Sequence, residues 1–268
     1  MKTILYTGAR SGIAKNVIDK FINNKDYLIY LTVENDNQLK QIAKIYKDID
    51  NVKYFKLNLL DEEDIKLVEK LDIDILVSNA AVGYGGSIAE MDIEKIKENF
   101  NVNVFNNIKL VQTVLKQMIK KKEGKIIMMS SLAGIMPIPF LGSYCATKAS
   151  IIKFTQCLKM ELKNLDTNIK ISLVLPGMYH TGFNQVMLEN KYKGMEQGYF
   201  KEELELIRAK ENLFFNLFEL NSYDSISNKI YKAITTNNPK FIYTAPLSQY
   251  VASKIYQLFN WYIFFCML

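Results

Sequence analysis

Two rhythms alternate along the chain. Six short runs are apolar at nearly every position: "TILYT" (3–7), "YLIYLTV" (27–33), "VKYFKL" (52–57), "IDILVS" (73–78), "KIIMMS" (125–130) and "KISLVL" (170–175). Between them lie segments in which apolar residues recur at helical spacing: "GIAKNVIDKFINN" (12–24), "NQLKQIAKIYKDI" (37–49) and "EEDIKLVEKL" (62–71). Two longer helices are predicted from about Asp92 to Lys121 and from about Ser143 to Leu165. Strands apolar on both faces, each followed by a helix, predict a parallel sheet covered on both sides. Right-handed crossovers then give a doubly wound α/β sheet in three layers, and such sheets bind ligands beyond the carboxyl ends of their strands.

Polar and glycine-rich residues gather at those ends. The first strand runs into "TGARSGIA" (7–14), where Gly8 and Gly12 permit a tight turn and close backbone approach at the start of a helix. The fourth run leads into "SNAAVGYGG" (78–86), suited to a backbone pressed against a flat ligand. The fifth ends in Ser130 and Ser131, and the next helix carries "SYCATKAS" (143–150). Tyr144 and Lys148, four apart, share one face of that helix, close enough for an ammonium to act on a phenol. The long helix holds "NFNVNVFNN" (99–107), five Asn among poor helix formers. Its apolar stripe runs through Ile96, Phe100, Val104, Val111, Val114 and Met118, and Asn103 falls on it. A buried amide needs partners, so Asn103 is a structural tie or a member of a polar network.

Composition narrows the function. At 268 residues, 49% hydrophobic and 23% charged, the chain suits one large domain, and no linker or repeat interrupts it. The net charge of +6 is carried by lysines, with only Arg10 and Arg208 as arginines, so nucleic-acid binding is not expected. Cys145, Cys157 and Cys266 show no disulfide or zinc spacing, and the single His180 excludes a multi-histidine metal centre. With a strand already under way at residue 3, no signal peptide is expected, and the setting reads as reducing and cytoplasmic. The tail "IYQLFNWYIFFCML" (255–268) is too short to cross a bilayer as a helix. Packing on the chain's own core or on a sister subunit is expected, with contact to a membrane surface as the alternative.

Taken in order and at their spacing, these motifs resemble the short-chain dehydrogenase/reductase family, over about residues 1–185. The TGxxxGxG loop appears as "TGARSGIA", the NNAG element as "SNAA", the YxxxK pair as Tyr144 and Lys148, and a Pro-Gly element as "PGMYHT" (176–181). The resemblance implies a Rossmann-type fold over 1–268, with a substrate lid at about 178–222 and an apolar C-terminal segment at 246–268. It implies an oxidoreductase that moves a hydride between NAD or NADP and a secondary alcohol or ketone. Asn103, Ser131, Tyr144 and Lys148 would be catalytic. Gly8, Arg10, Ser11, Gly12, Ile13, Glu34, Asn58, Leu59, Asn79, Ala80, Ala81, Pro176, Gly177 and Thr181 would bind cofactor, together with Tyr144 and Lys148.

A free phenol, with a pKa near ~10, is a weak base at neutral pH. In the family's scheme Lys148 and the oxidised nicotinamide favour the phenolate, Ser131 holds the substrate oxygen, and Asn103 anchors a water beside Lys148. Ala14, Ala81 and Asn106 stand where the family often has Gly. Glu34 favours NAD, Arg10 could reach a 2′-phosphate, and NAD is slightly favoured. The apolar lid, with Met178, Tyr179, Phe183, Met187, Met195, Tyr199, Phe200, Phe214 and Phe215, implies a bulky or hydrophobic substrate. His180 and Cys145 are expected to line the cleft passively. The apolar stretch 151–162 suggests a homodimer or homotetramer. A cofactor-sensing protein or a membrane-peripheral enzyme on the same fold is the rival reading; chain length and loop spacing disfavour an epimerase or dehydratase.

Overall fold

Seven parallel strands form one sheet in the computed structural model, which describes the backbone of residues 1–267 and the side-chain surroundings of residues 1–259. They are β1 (Lys2–Tyr6), β2 (Tyr27–Val33), β3 (Val52–Lys56), β4 (Ile75–Ser78), β5 (Glu123–Met129), β6 (Asn168–Pro176) and β7 (Ile242–Ala245). Their spatial order is β3-β2-β1-β4-β5-β6-β7. The chain leaves β1 for β2 on one side and returns to β4 on the other, with Ile4 beside Ile29 and Ile75. The switch point of the sheet therefore lies between the carboxyl ends of β1 and β4.

The six predicted runs are β1 to β6. The seventh strand escapes the sequence pattern because it is a four-residue edge strand that alternates exposed and buried positions. In the central strands, neighbouring residues feed opposite faces. Ile4, Tyr6, Ile75 and Val77 pack on one side against helices α1 (Gly12–Ile18), α2 (Asp36–Tyr46) and α9 (Asp224–Thr235). Leu5, Leu76, Ile126 and Met128 pack on the other against α3 (Glu62–Val68), α5 (Asn107–Lys121) and α6 (Gly142–Leu162). Leu5 and Leu76 are fully buried, and truncating either to Ala would cost about 2–5 kcal/mol.

Four helices end earlier than their periodicity predicts, and each ends in i→i−3 bonds that tighten the last turn, as where Ile49 N donates to Tyr46 O at 3.1 Å after α2. After α1, Phe21 N donates to Ile18 O at 2.8 Å, which seats Phe21 in the core. After α3, Leu71 N donates to Val68 O at 3.1 Å, and after α6, Leu165 N donates to Leu162 O at 3.3 Å. The predicted helix 92–121 is three pieces: α4 (Ile93–Phe100), a π turn (Asn101–Asn106) and α5. On its first part Ile96 and Phe100 are only half-buried and Asn99 is fully buried, so an amide takes the place predicted for apolar side chains.

Two helices, α7 (Phe183–Met195) and α8 (Leu204–Phe218), intervene between β6 and α9. A last helix, α10 (Leu247–Met267), follows β7. Ile255, Tyr256, Leu258 and Phe259 on it are exposed, so this stretch does not pack on the chain's own core as expected. The rest of the aromatic tail, 260–268 with Cys266, lies outside the residues whose surroundings are described. Among the described residues no helix is long and apolar enough to cross a membrane.

Candidate active site

At the switch point the turn after β1 and the loop after β4 are bonded to each other. Thr7 Oγ1 accepts the amides of Asn79 (2.9 Å) and Ala80 (3.0 Å), while Asn79 Nδ2 donates back to the carbonyls of Thr7 and Gly8, 3.0 Å each. Gly8 has φ +65°, and a Cβ there would lie 2.8 Å from Ala80 Cα. Only glycine meets both demands. Ser11 caps α1 by accepting Ala14 N at 3.2 Å. Ala14 and Ile13 are buried against the sheet, so the methyl group that replaces the family's third glycine is accommodated.

The other residues assigned to the cofactor also lie past strand ends. Glu34 follows β2, exposed, with Gln38 donating to its carboxylate at 3.2 Å; Arg10 is exposed in the glycine turn. Asn58 follows β3 and accepts Leu60 N at 2.9 Å, beside the buried Leu59. Ala81 is half-buried in the loop after β4. Pro176 ends β6, Gly177 N donates to Ala245 O at 2.9 Å, and Thr181 Oγ1 accepts Phe183 N at 3.3 Å.

An amide ladder fixes the loop 78–84 from the side. Asn103 Oδ1 accepts Val82 N at 2.8 Å; its Nδ2 donates to Val82 O at 2.8 Å and to Thr147 Oγ1 at 3.2 Å. Four residues earlier, Asn99 repeats the pattern with Tyr84 N (3.1 Å), Tyr84 O (2.9 Å) and Ser143 Oγ (2.9 Å). Four residues later, Asn107 accepts Ser78 Oγ at 2.5 Å and donates to Ala80 O at 3.0 Å. All three amides are buried and satisfied. The side chain of Asn103 thus ties the loop to α6. Asn99, Asn107, Thr7, Ser143 and Thr147 are missing from the residues selected by motif, although the spacing 99, 103, 107 is visible in "NFNVNVFNN".

Helix α6 is docked on the exit of β5 at the level of Lys148. Ser130 Oγ donates to Lys148 O at 2.8 Å, and a Cβ on Gly134 would lie 2.7 Å from Lys148 C. Ser131, the N-cap of the 3₁₀ turn Leu132–Gly134, accepts Ala133 N at 3.1 Å and lies close enough to the Tyr144 phenol to lower its pKa. The two serines sit differently: Ser131 lies beside Tyr144, whereas Ser130 ties the helix down.

Burial dominates the electrostatics. It pushes the Tyr144 phenol well above its ordinary range, and the neighbouring Ser131 hydroxyl opposes this only in part. Burial also pushes Lys148 down to about 8. Its ammonium lies 5.6 Å from the Tyr144 ring centroid and donates to Met129 O at 3.4 Å.

Above Tyr144 the surroundings are apolar. Phe183 stacks at a ring-centroid distance of 5.7 Å, and Met187, Leu141 and Ala133 complete the cluster with half-buried Cys145. Phe183 and Met187 seat on Gly83, where a Cβ would come within 2.9 Å of either. His180 turns away, with Nδ1 2.8 Å from Glu219 Oε2. Of the apolar residues predicted over this region, Met187 and Met195 are buried, whereas Tyr199 and Phe214 are exposed.

A doubly wound sheet with a glycine turn at its switch point, facing a buried phenol, lysine and serine, defines a dinucleotide-dependent oxidoreductase. A profile of the family described as "short chain dehydrogenase" matches residues 2–191. The chain belongs to that family and is an oxidoreductase acting on CH–OH and C=O groups. A 3-ketodihydrosphingosine reductase of Bacteroides thetaiotaomicron is 27% identical over 256 residues, 94% of this chain and 90% of that protein. An NADPH-dependent 3-dehydrocapnine reductase of Ornithobacterium rhinotracheale is 30% identical over 191 residues, 68% of this chain and 66% of that protein. The solved structure of a short-chain dehydrogenase/reductase from Burkholderia phymatum in complex with NAD aligns with a TM-score of 0.74 at 19% identity, covering 90% of this chain and 88% of that one. At that identity the likeness is one of fold.

Proposed function

We propose that the chain interconverts a ketone and a secondary alcohol on a substrate with an apolar body, using NAD(P)(H) at the carboxyl edge of the sheet. The observation that carries this reading is the buried Tyr144 phenol, beside Ser131 and roofed by Phe183 and Met187. The cradle fits a dinucleotide: at Gly8 any side chain would collide with Ala80, so the turn is kept bare for close approach. Gly8, Arg10, Ser11, Gly12 and Ile13 would hold the pyrophosphate side. Glu34, Asn58 and Leu59 would hold the adenosine side, and Asn79, Ala80, Ala81, Pro176, Gly177 and Thr181 the nicotinamide side. The bound cofactor supplies or accepts the hydride.

The remaining steps belong to the protein. Ser131 holds the substrate oxygen beside the phenol, and Tyr144 gives that oxygen a proton in reduction or takes it back in oxidation. Lys148, whose pKa of about 8 keeps it mostly protonated at neutral pH, would move towards the ribose and the phenol once a dinucleotide is in place. Asn103 keeps the loop of Val82 and the helix of Tyr144 in register. Two relatives are named as reductases of a 3-keto and a 3-dehydro compound, which accords with a ketone substrate. Glu34 inclines the site slightly towards NAD, while Arg10 leaves NADP a partner. Exposed Phe154 and Met160 on α6 suit a homodimer or homotetramer, and the free thiols of Cys145 and Cys157 suit the cytoplasm.

Fluorescence titration with NADH and NADPH, followed by a panel of apolar ketones, tests the reading. Tyr144→Phe should keep cofactor affinity and lose about 10²–10⁴-fold in turnover. Equal turnover in that variant would remove the assigned role.

A further inference from the structure

We propose that Tyr223, which no motif singles out, is a further cofactor-positioning residue: a clasp that joins the two banks of the cleft. The proposal rests on the reading of the site above. Tyr223 stands immediately before α9, and its ring lies flat on Gly12, with Cζ, Cε2 and Oη 2.6–2.7 Å from where a Cβ at that position would sit. Gly12 is therefore bare for a second reason, since any larger residue would displace the tyrosine. The hydroxyl crosses the cleft and donates to His180 O. One phenol thus touches the glycine turn after β1 and the Pro176–Thr181 segment after β6. These are the segments assigned to the pyrophosphate and to the nicotinamide.

Both ends of this bridge are anchored. The Tyr223 carbonyl accepts Ser227 N at 2.9 Å and Ser227 Oγ at 2.8 Å, which fixes the residue to α9. Asn16 Nδ2 donates to Asp224 Oδ1 at 3.4 Å, tying α9 to α1. On the far bank, His180 N donates to Leu220 O at 2.9 Å and Leu220 N to Met178 O at 3.0 Å. The side chain of Glu219 accepts Asn184 Nδ2 at 2.8 Å. The contact between Tyr223 and His180 thus spans two well-fixed elements. A dinucleotide running from Gly12 towards Thr181 would lie along this bridge, and its exit requires the hydroxyl to let go. The hydroxyl therefore governs how fast cofactor leaves, whereas the ring governs packing on Gly12.

Tyr223→Phe separates these roles, because it keeps the ring and removes the bond. Stopped-flow displacement of bound NADH or NADPH should show release accelerated about 3- to 10-fold, the equivalent of one net hydrogen bond, with the melting temperature lowered by no more than about 2–4 °C. Hydrogen exchange of residues 178–182 in the cofactor-free chain should quicken in the same variant. Tyr223→Ala should release faster still; if it fails to fold, Tyr223→Phe decides alone. Unchanged release and exchange in Tyr223→Phe, beside a wild type that binds nucleotide, would overturn the clasp and leave the site reading intact. A wild type that binds neither nucleotide would overturn both.

Discussion

Asn103 grips Val82 by both of its main-chain polar groups, accepting the amide and donating to the carbonyl at 2.8 Å each. A side-chain amide used this way imitates the edge of a β-strand, and Asn99 does the same for Tyr84. The loop between β4 and α4 is thereby held as firmly as a strand would be, with the α6 hydroxyls of Ser143 and Thr147 closing the other side.

Removing a rung should be costly. Asn103→Ala leaves the half-buried Val82 amide and carbonyl without protein partners, at about 1–3 kcal/mol for each group. Urea denaturation should show a loss of roughly 2–4 kcal/mol on that basis. Asn99→Ala should behave alike, and the double variant should depart from additivity because both rungs hold one loop. A loss below half a kcal/mol in either single variant would contradict the ladder.

Two glycines should respond in opposite senses to Ala. Gly8→Ala meets φ +65° and the Ala80 backbone at 2.8 Å, so it should lose stability by roughly 1–3 kcal/mol and weaken nucleotide binding. Gly194, near the end of α7, has open space around it, and Gly194→Ala should be neutral or stabilising by about 0.4–1 kcal/mol. Thermal melts of the two variants check the contrast.

The buried lysine gives stability a pH dependence of predictable sign. Its folded-state pKa of about 8 lies below the ordinary lysine value of 10.5. Below pH 8 both states hold the proton and the folded chain bears the full cost of burying a charge. Above that pH the folded chain releases the proton while the unfolded chain keeps it, so stability rises with pH. From about pH 7 to about pH 9.5 the wild type should gain on the order of 1–2 kcal/mol more than Lys148→Met. Lys125, also pushed down to about 8 by burial, acts with the same sign in both chains and cancels in the comparison. A Lys148→Met chain with an undiminished gain would show that this lysine is not the source.

Phe183 is the closest aromatic neighbour of the Tyr144 ring among the described residues, at 5.7 Å. Phe183→Ala should leave NAD(P)H affinity unchanged and lower kcat/KM for an apolar ketone by roughly 10- to 100-fold, the value of a lost apolar contact of about 1–3 kcal/mol. Parallel cofactor titration and steady-state kinetics separate the two effects. A fall in cofactor affinity without a change in substrate handling would place Phe183 on the wrong bank.

The sheet and the chemistry-bearing residues are legible in the sequence for one reason: each strand is apolar on both faces, and each polar cluster follows a strand. Ser131, Tyr144 and Lys148 come together because a turn and one helix set their spacing, which linear sequence records. Features set by tertiary partners are not legible. Strand β7 is defined by β6 beside it, and the place of Asn99 by a loop and a helix 15 and 44 residues away. The raised pKa of Tyr144 is likewise a product of how much protein covers it, which spacing alone does not reveal.

The π turn at Asn101–Asn106 turns chain length itself into a specification. In an ordinary helix of 3.6 residues per turn, positions four apart overshoot by about 40° and positions eight apart by about 80°, so Asn99, Asn103 and Asn107 would spiral off any one face. The wider winding absorbs that drift and keeps three rungs in line. Deleting a single residue between Asn99 and Asn107 would therefore restore a regular helix and rotate the amides out of phase, even with every amide retained. Exchanging exposed Phe105 for another helix-compatible side chain would leave the phase untouched.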